Sequence, residues 1–71
     1  MTITIYIRLL DESVDCWRPT SADQHGEVFV VLGPTPDDEH WEFQPGARVL
    51  CRKQTFEGDD HERLVAYRLA D

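Results

Sequence analysis

Seventy-one residues provide for one domain and one hydrophobic core. The chain is 41% hydrophobic and 30% charged, a mixture that folds and is not the composition of a disordered segment. Fourteen acids against seven bases leave a net charge of −7, which sets nucleic-acid phosphates and anionic lipid surfaces aside as default partners and favours basic proteins.

Thr2–Leu10 alternates, with Ile3, Ile5, Ile7 and Leu9 on one face and Thr2, Thr4, Tyr6 and Arg8 on the other. Period two over this length predicts a strand with one buried face. It is not the basic-then-apolar pattern of a secretory signal, and no run reaches the roughly eighteen apolar residues that span a bilayer. A cytoplasmic protein is expected, with no membrane role and with Cys16 and Cys51 reduced core residues. Asp11-Glu12-Ser13 is a polar break suited to a turn. A second strand is expected over Val14–Thr20, with Val14, Cys16 and Arg18 on one face and Trp17 on the other. Pro19 cannot donate to a ladder, which predicts an edge or a bulge there.

His25-Gly26 marks a tight turn. Glu27–Leu32 is nearly all apolar and reads as a central strand buried on both faces. Gly33-Pro34-Thr35-Pro36 ends it, and Asp37–His40 has room for a single helical turn capped by Asp37 or Asp38. Trp41-Glu42-Phe43 is long enough only for a strand fragment or an aromatic plug. Gln44-Pro45-Gly46-Ala47 places Pro and Gly where a type II turn requires them. Arg48–Thr55 alternates again, with Val49, Cys51 and Lys53 opposed to Leu50, Arg52 and Gln54. Residues 57–60 form the expected loop of a hairpin, and Arg63–Leu69 its returning strand, with Val65, Tyr67 and Leu69 inward. The expected fold is all-β: one domain over residues 1–71, a small five-stranded antiparallel SH3-like barrel with at most one short helical turn near residues 36–40.

The densest chemistry lies in Asp37-Asp38-Glu39-His40-Trp41-Glu42, with four carboxylates, an imidazole and an indole. Such a loop presents a negative patch with an aromatic anchor to a basic partner, or is a solvated loop whose Trp41 and Phe43 tuck into the barrel end. Ligand spacings for calcium or zinc are absent, so no metal and no cofactor is expected. Ser13 and Ser21 lack a nucleophile-elbow setting, Cys16 and Cys51 fall inside strands, and no glycine cluster cradles a phosphate. No enzymatic activity is expected. Tyr6 and Trp17 lie on the faces opposite the core and either share an outer surface or cap an open barrel end.

Trp17-Arg18-Pro19 followed by Ala22, the acidic loop ending in Trp41-Glu42-Phe43, Pro45-Gly46-Ala47-Arg48-Val49-Leu50-Cys51 and a terminal Leu64-Val65-Ala66 together resemble a widespread kind of small bacterial protein. Chains of this kind run to about seventy residues. The resemblance implies a topology similar to SH3-like barrels, which bind peptides, proteins or nucleic acid through loop aromatics. It assigns no site residues.

These features support an acidic protein-binding module, such as an immunity protein or inhibitor that covers the cationic cleft of a nuclease-like target. Asp37, Asp38, Glu39 and Glu42 would pair with the target's Arg and Lys, Trp41 would fill a pocket, and Trp17 with Arg18 would add to the interface. The alternative is a housekeeping interaction module that forms a homodimer through the Val14–Pro19 strand edge. An RNA-associated barrel is a third reading. It needs Arg18, Arg48, Arg52 and Lys53 on one face, and alternation along the strand sends Lys53 away from Arg48 and Arg52.

Overall fold

A computed structural model describes residues 2–10, 16–55 and 61–70. Five strands, β1 (Thr2–Arg8), β2 (Trp17–His25), β3 (Val28–Val31), β4 (Arg48–Thr55) and β5 (Glu62–Leu69), close into a barrel in chain order. Each strand runs antiparallel to its successor. The closing seam, where Tyr6 faces Val65, is parallel. A meander with an odd number of strands leaves its first and last members pointing the same way, so the expected antiparallel barrel must carry one parallel seam. No helix occurs among the described residues. Residues 36–39 make one turn, in which the Glu39 N–H donates to the Pro36 carbonyl at 3.1 Å. The expected turn at residues 11–13, the strand start at Val14 and the hairpin loop at 57–60 lie outside the described residues.

The core follows from strand alternation. Ile5 and Ile7 of β1, Ala22 of β2, Phe29 and Val31 of β3, and Val49 of β4 point inward and are buried. The residues between them on β1, Thr2, Thr4, Tyr6 and Arg8, face out. Strand β2 is longer than the sequence suggests and runs on to His25, which pairs with Val28 across Gly26 and Glu27. Strand β3 is not buried on both faces. Phe29 and Val31 are buried, while Val28 and Val30 are only half-buried and Leu32 is exposed.

Strand β5 departs most from expectation. Leu50 pairs with Arg68 but Cys51 pairs with Ala66, so Tyr67 is one residue too many for the ladder and makes a bulge. Ala66 and Leu64 face the core, whereas Tyr67 and Leu69 are 42% and 53% exposed. Val65 is buried on the outer face. It lies between Tyr6 of β1 and Arg52 of β4, with Arg63 and Tyr67 two residues away along its own strand. The Arg52 guanidinium stands 5.3 Å from the Tyr67 ring centre, and that of Arg63 stands 5.7 Å from Tyr6. These side chains cover an apolar residue that would otherwise face water, and the arginine stems add apolar contact of their own.

The long connection from β3 to β4 closes one end of the barrel. Leu10 donates to the His40 carbonyl at 2.7 Å, Glu42 donates to the Arg8 carbonyl at 2.9 Å, and Leu9 bridges Trp41. Residues 40–42 thus extend the sheet beside the end of β1, and Trp41 and Phe43 are driven into the core as a plug. The connection then turns at residues 44–47, where Ala47 donates to the Gln44 carbonyl at 3.0 Å and Gly46 takes φ 91°, as the third position of a type II turn requires.

Candidate partner-binding site

Strand β2 is only partly covered on its second edge. Its pairing with β3 spans Ala22 to His25, and Leu32 adds a bond to the Ser21 carbonyl at 3.0 Å. From Trp17 to Thr20 that edge looks across a groove at the β3–β4 connection. The register explains how Pro19 fits. Leu9 donates to the Cys16 carbonyl, which makes 7 with 18 and 5 with 20 the hydrogen-bonding pairs of the β1–β2 ladder. The ring nitrogen of Pro19 therefore points away from β1 into the groove, and no ladder bond is lost.

The groove encloses about 450 Å³. Arg18, Pro19, Thr20 and Ser21 line one wall, and Gly33, Pro34, Pro36, Asp38, Glu39 and Trp41 line the other. Across it the Arg18 guanidinium grips the Glu39 carboxylate at two points. Nε donates to Oε1 at 3.0 Å and the second nitrogen donates to Oε2. Trp41 donates its indole N–H to the same Oε1 at 2.9 Å. The Arg18 bond, followed by the Trp41 bond, holds the Glu39 carboxyl below the ordinary carboxylate range, and the same pairing raises Arg18 further above its own.

The expected site residues divide into two places. Arg18, Asp38, Glu39 and Trp41 meet at the groove, and Asp37 is exposed beside them. Trp17 points to the other side of β2, where it faces Arg8 and is half-buried, and Glu42 is exposed next to Arg8 on the opposite flank. Tyr6 and Trp17 share the outer surface through the neighbouring pairs Tyr6 with Pro19 and Arg8 with Trp17. Trp41 is only 2% exposed, so its ring is a core plug and cannot enter a pocket on a partner. Its part in any contact is indirect, through the carboxylate it positions. Glu39 is likewise held internally, which leaves Asp37, Asp38 and Glu42 as the exposed acids of the loop. Pro19, Pro34 and Pro36 also line the groove, a role that the local sequence around each does not reveal. The density of prolines on both sides of the groove was the available signal.

Among the described residues no three His, Cys, Asp or Glu side chains are placed to hold a metal ion. Burial pushes the Cys51 thiol up to about 11. No helix among them is long and apolar enough to cross a membrane. No family model matches the chain, and comparison with curated proteins and with solved structures gives no match either.

Proposed function

We propose that this barrel is a non-enzymatic binding protein that takes an extended, basic segment of a partner protein in the groove beside β2. The observation that carries the reading is the combination of a pre-formed groove walled by prolines with exposed Asp37 and Asp38 at its acidic side. Prolines present apolar surface at little entropic cost, and the carboxylates steer and pair with arginine or lysine. The Arg18–Glu39 clamp ties β2 to the loop and fixes the spacing of the two walls before a partner arrives. In its sharper form the protein is an SH3-like, cytoplasmic inhibitor or immunity protein that masks the cationic cleft of its target. The net charge of −7 supports rapid association with such a surface.

The test is capture of binding proteins from host lysate with elution by salt, followed by association kinetics on the captured protein. A basic partner is expected. The triple change Asp37→Asn, Asp38→Asn and Glu42→Gln is expected to slow association about tenfold at low salt and to flatten its salt dependence. Association rates unchanged by the triple change reject the acidic-rim mechanism. Self-association through the β2 edge is the less favoured reading, because Pro19 turns its nitrogen to that edge and offers no N–H to a second copy.

A further inference from the structure

Among the described residues the basic groups are unevenly spread, and the unevenness has a direction. Strand register places Arg8 of β1, Arg48 and Arg52 of β4, and Arg63 and Arg68 of β5 on the outer face of one continuous three-strand surface, β1–β5–β4. Five of the seven bases in the chain therefore share that face. Among the described residues, β1, β4 and β5 contribute no carboxylate to it, and Glu42 stands at its border beyond Arg8. Tyr6 and Tyr67 are set among the arginines, with guanidinium groups on their rings at 5.7 and 5.3 Å. Trp17 adjoins Arg8 from β2.

We propose that this face binds single-stranded nucleic acid. Three features select that occupant. The basic groups are all arginine, whose planar fork meets phosphate oxygens at two points. The rings lie within the basic field, where unpaired bases can stack on them, and a duplex would hide those bases. The surface is a sheet face whose Tyr67 and Leu50 also border a cavity of about 350 Å³ at its edge, where Glu27 stands. An extended strand thus has both a face to cross and a recess for a base. Arg8, Arg48 and Arg63 already hold partners, and the five N–H donors of a guanidinium allow it to keep a protein partner and meet phosphate as well. Net charge argues against nucleic acid only at a distance. Within a Debye length of about 8–10 Å the nearest groups weigh most, and among the described residues those on this face are arginines. A second copy docking its acidic loop here would make a head-to-tail contact, which builds rings or filaments, and such oligomers are one of the outcomes of the test.

The test is fluorescence anisotropy of a fluorescein-labelled oligothymidylate of about twelve nucleotides, titrated with the intact protein. Binding is expected at about 50 mM salt, with a loss of roughly 20- to 50-fold at about 200 mM if three or four phosphates are met. Arg52→Gln with Arg68→Gln is expected to weaken binding at least tenfold, and Tyr67→Leu about tenfold, each with its melting curve checked for folding. The change of Asp37, Asp38 and Glu42 to amides is expected to leave binding intact or strengthen it. Four results overturn the proposal: no binding at the lower salt, equal binding of a polyglutamate peptide, indifference to Tyr67→Leu in a folded variant, or salt-sensitive oligomers of the protein alone that disappear in the arginine variant. Because Arg52, Arg68 and Tyr67 do not line the groove beside β2, failure of binding and indifference to their replacement leave the reading of that groove standing.

Discussion

Arg18 and Glu39, 21 residues apart in sequence, meet as a two-point guanidinium–carboxylate pair across the groove beside β2. The pair joins a strand to a loop that has little secondary structure of its own. Trp41 completes it by lending its indole N–H to the same carboxylate while its ring fills the barrel end. The clamp thus couples the shape of the groove to the packing of the core.

The Glu39 carboxyl is held below its ordinary value of 4.5, first by the Arg18 bond and then by the Trp41 bond. A carboxyl depressed by folding adds stability that is complete above the unfolded value and lost as pH falls through the lower folded value. Glu39→Gln is therefore expected to lower the melting temperature at pH 7 and to have no such effect once pH drops below the folded value. Melting curves across the acid range for both proteins check this. Parallel curves for the two proteins at every pH would refute the coupling.

Replacing Trp41 separates its two roles. Trp41→Phe keeps an aromatic plug and removes only the donor to Glu39, so the protein is expected to fold with a modest loss of stability. Trp41→Ala removes the plug, at a cost of about 3–5 kcal/mol. A barrel of this size has roughly that much stability in total, so the alanine variant is expected to be largely unfolded at room temperature. Circular dichroism with urea titration distinguishes the two outcomes.

Two glycines with positive φ make a matched pair. Gly26 has φ 64° and open space where a Cβ would stand, so Gly26→Ala bears only the backbone strain, about 1–2 kcal/mol. Gly33 has φ 75°, and an added Cβ would lie 2.5 Å from Pro45 Cγ. That ring belongs to the turn preceding β4 and has no flexible end to swing aside. Gly33→Ala is expected to cost about 1–3 kcal/mol more than Gly26→Ala, measured by urea unfolding of both variants.

Cys51 is expected to be chemically quiet. Burial raises its thiol from an ordinary 9.0 to about 11, which makes thiolate about 100-fold scarcer at pH 8. In a Cys16→Ser background, reaction with a disulfide reagent at pH 8 should be at least tenfold slower in the folded protein than in urea. Equal rates would show that the thiol is open to solvent.

Much of the barrel is legible along the chain. Ile3, Ile5 and Ile7 alternate with Thr2, Thr4 and Tyr6, and strand β1 forms with those faces. Arg48–Thr55 is a strand with the bounds that its alternation predicts, and Val49 and Cys51 are the residues of it that pack in the core. Pro45-Gly46 makes the turn its residue types require. Strand β2 was harder to read, because Ser21, Asp23 and Gln24 are weak strand formers held there by pairing on both sides. Strand β5 could not be placed correctly from its pattern. The bulge at Tyr67 changes which side the terminal residues face, and a bulge depends on the partner strand.

The sequence by itself determined the order of strands and turns and the core face of β1, because alternation and turn chemistry depend on neighbours a few positions away. Tertiary structure decided what meets across those elements. It buried Trp41, paired Arg18 with Glu39, set prolines from two segments along one groove, and gathered five arginines on one face of an acidic protein. Each of these juxtapositions joins positions far apart in the chain, and each depends on strand order and register around a closed barrel. A shift of one residue in register turns every side chain of a strand to the opposite face, so no local pattern can specify such meetings.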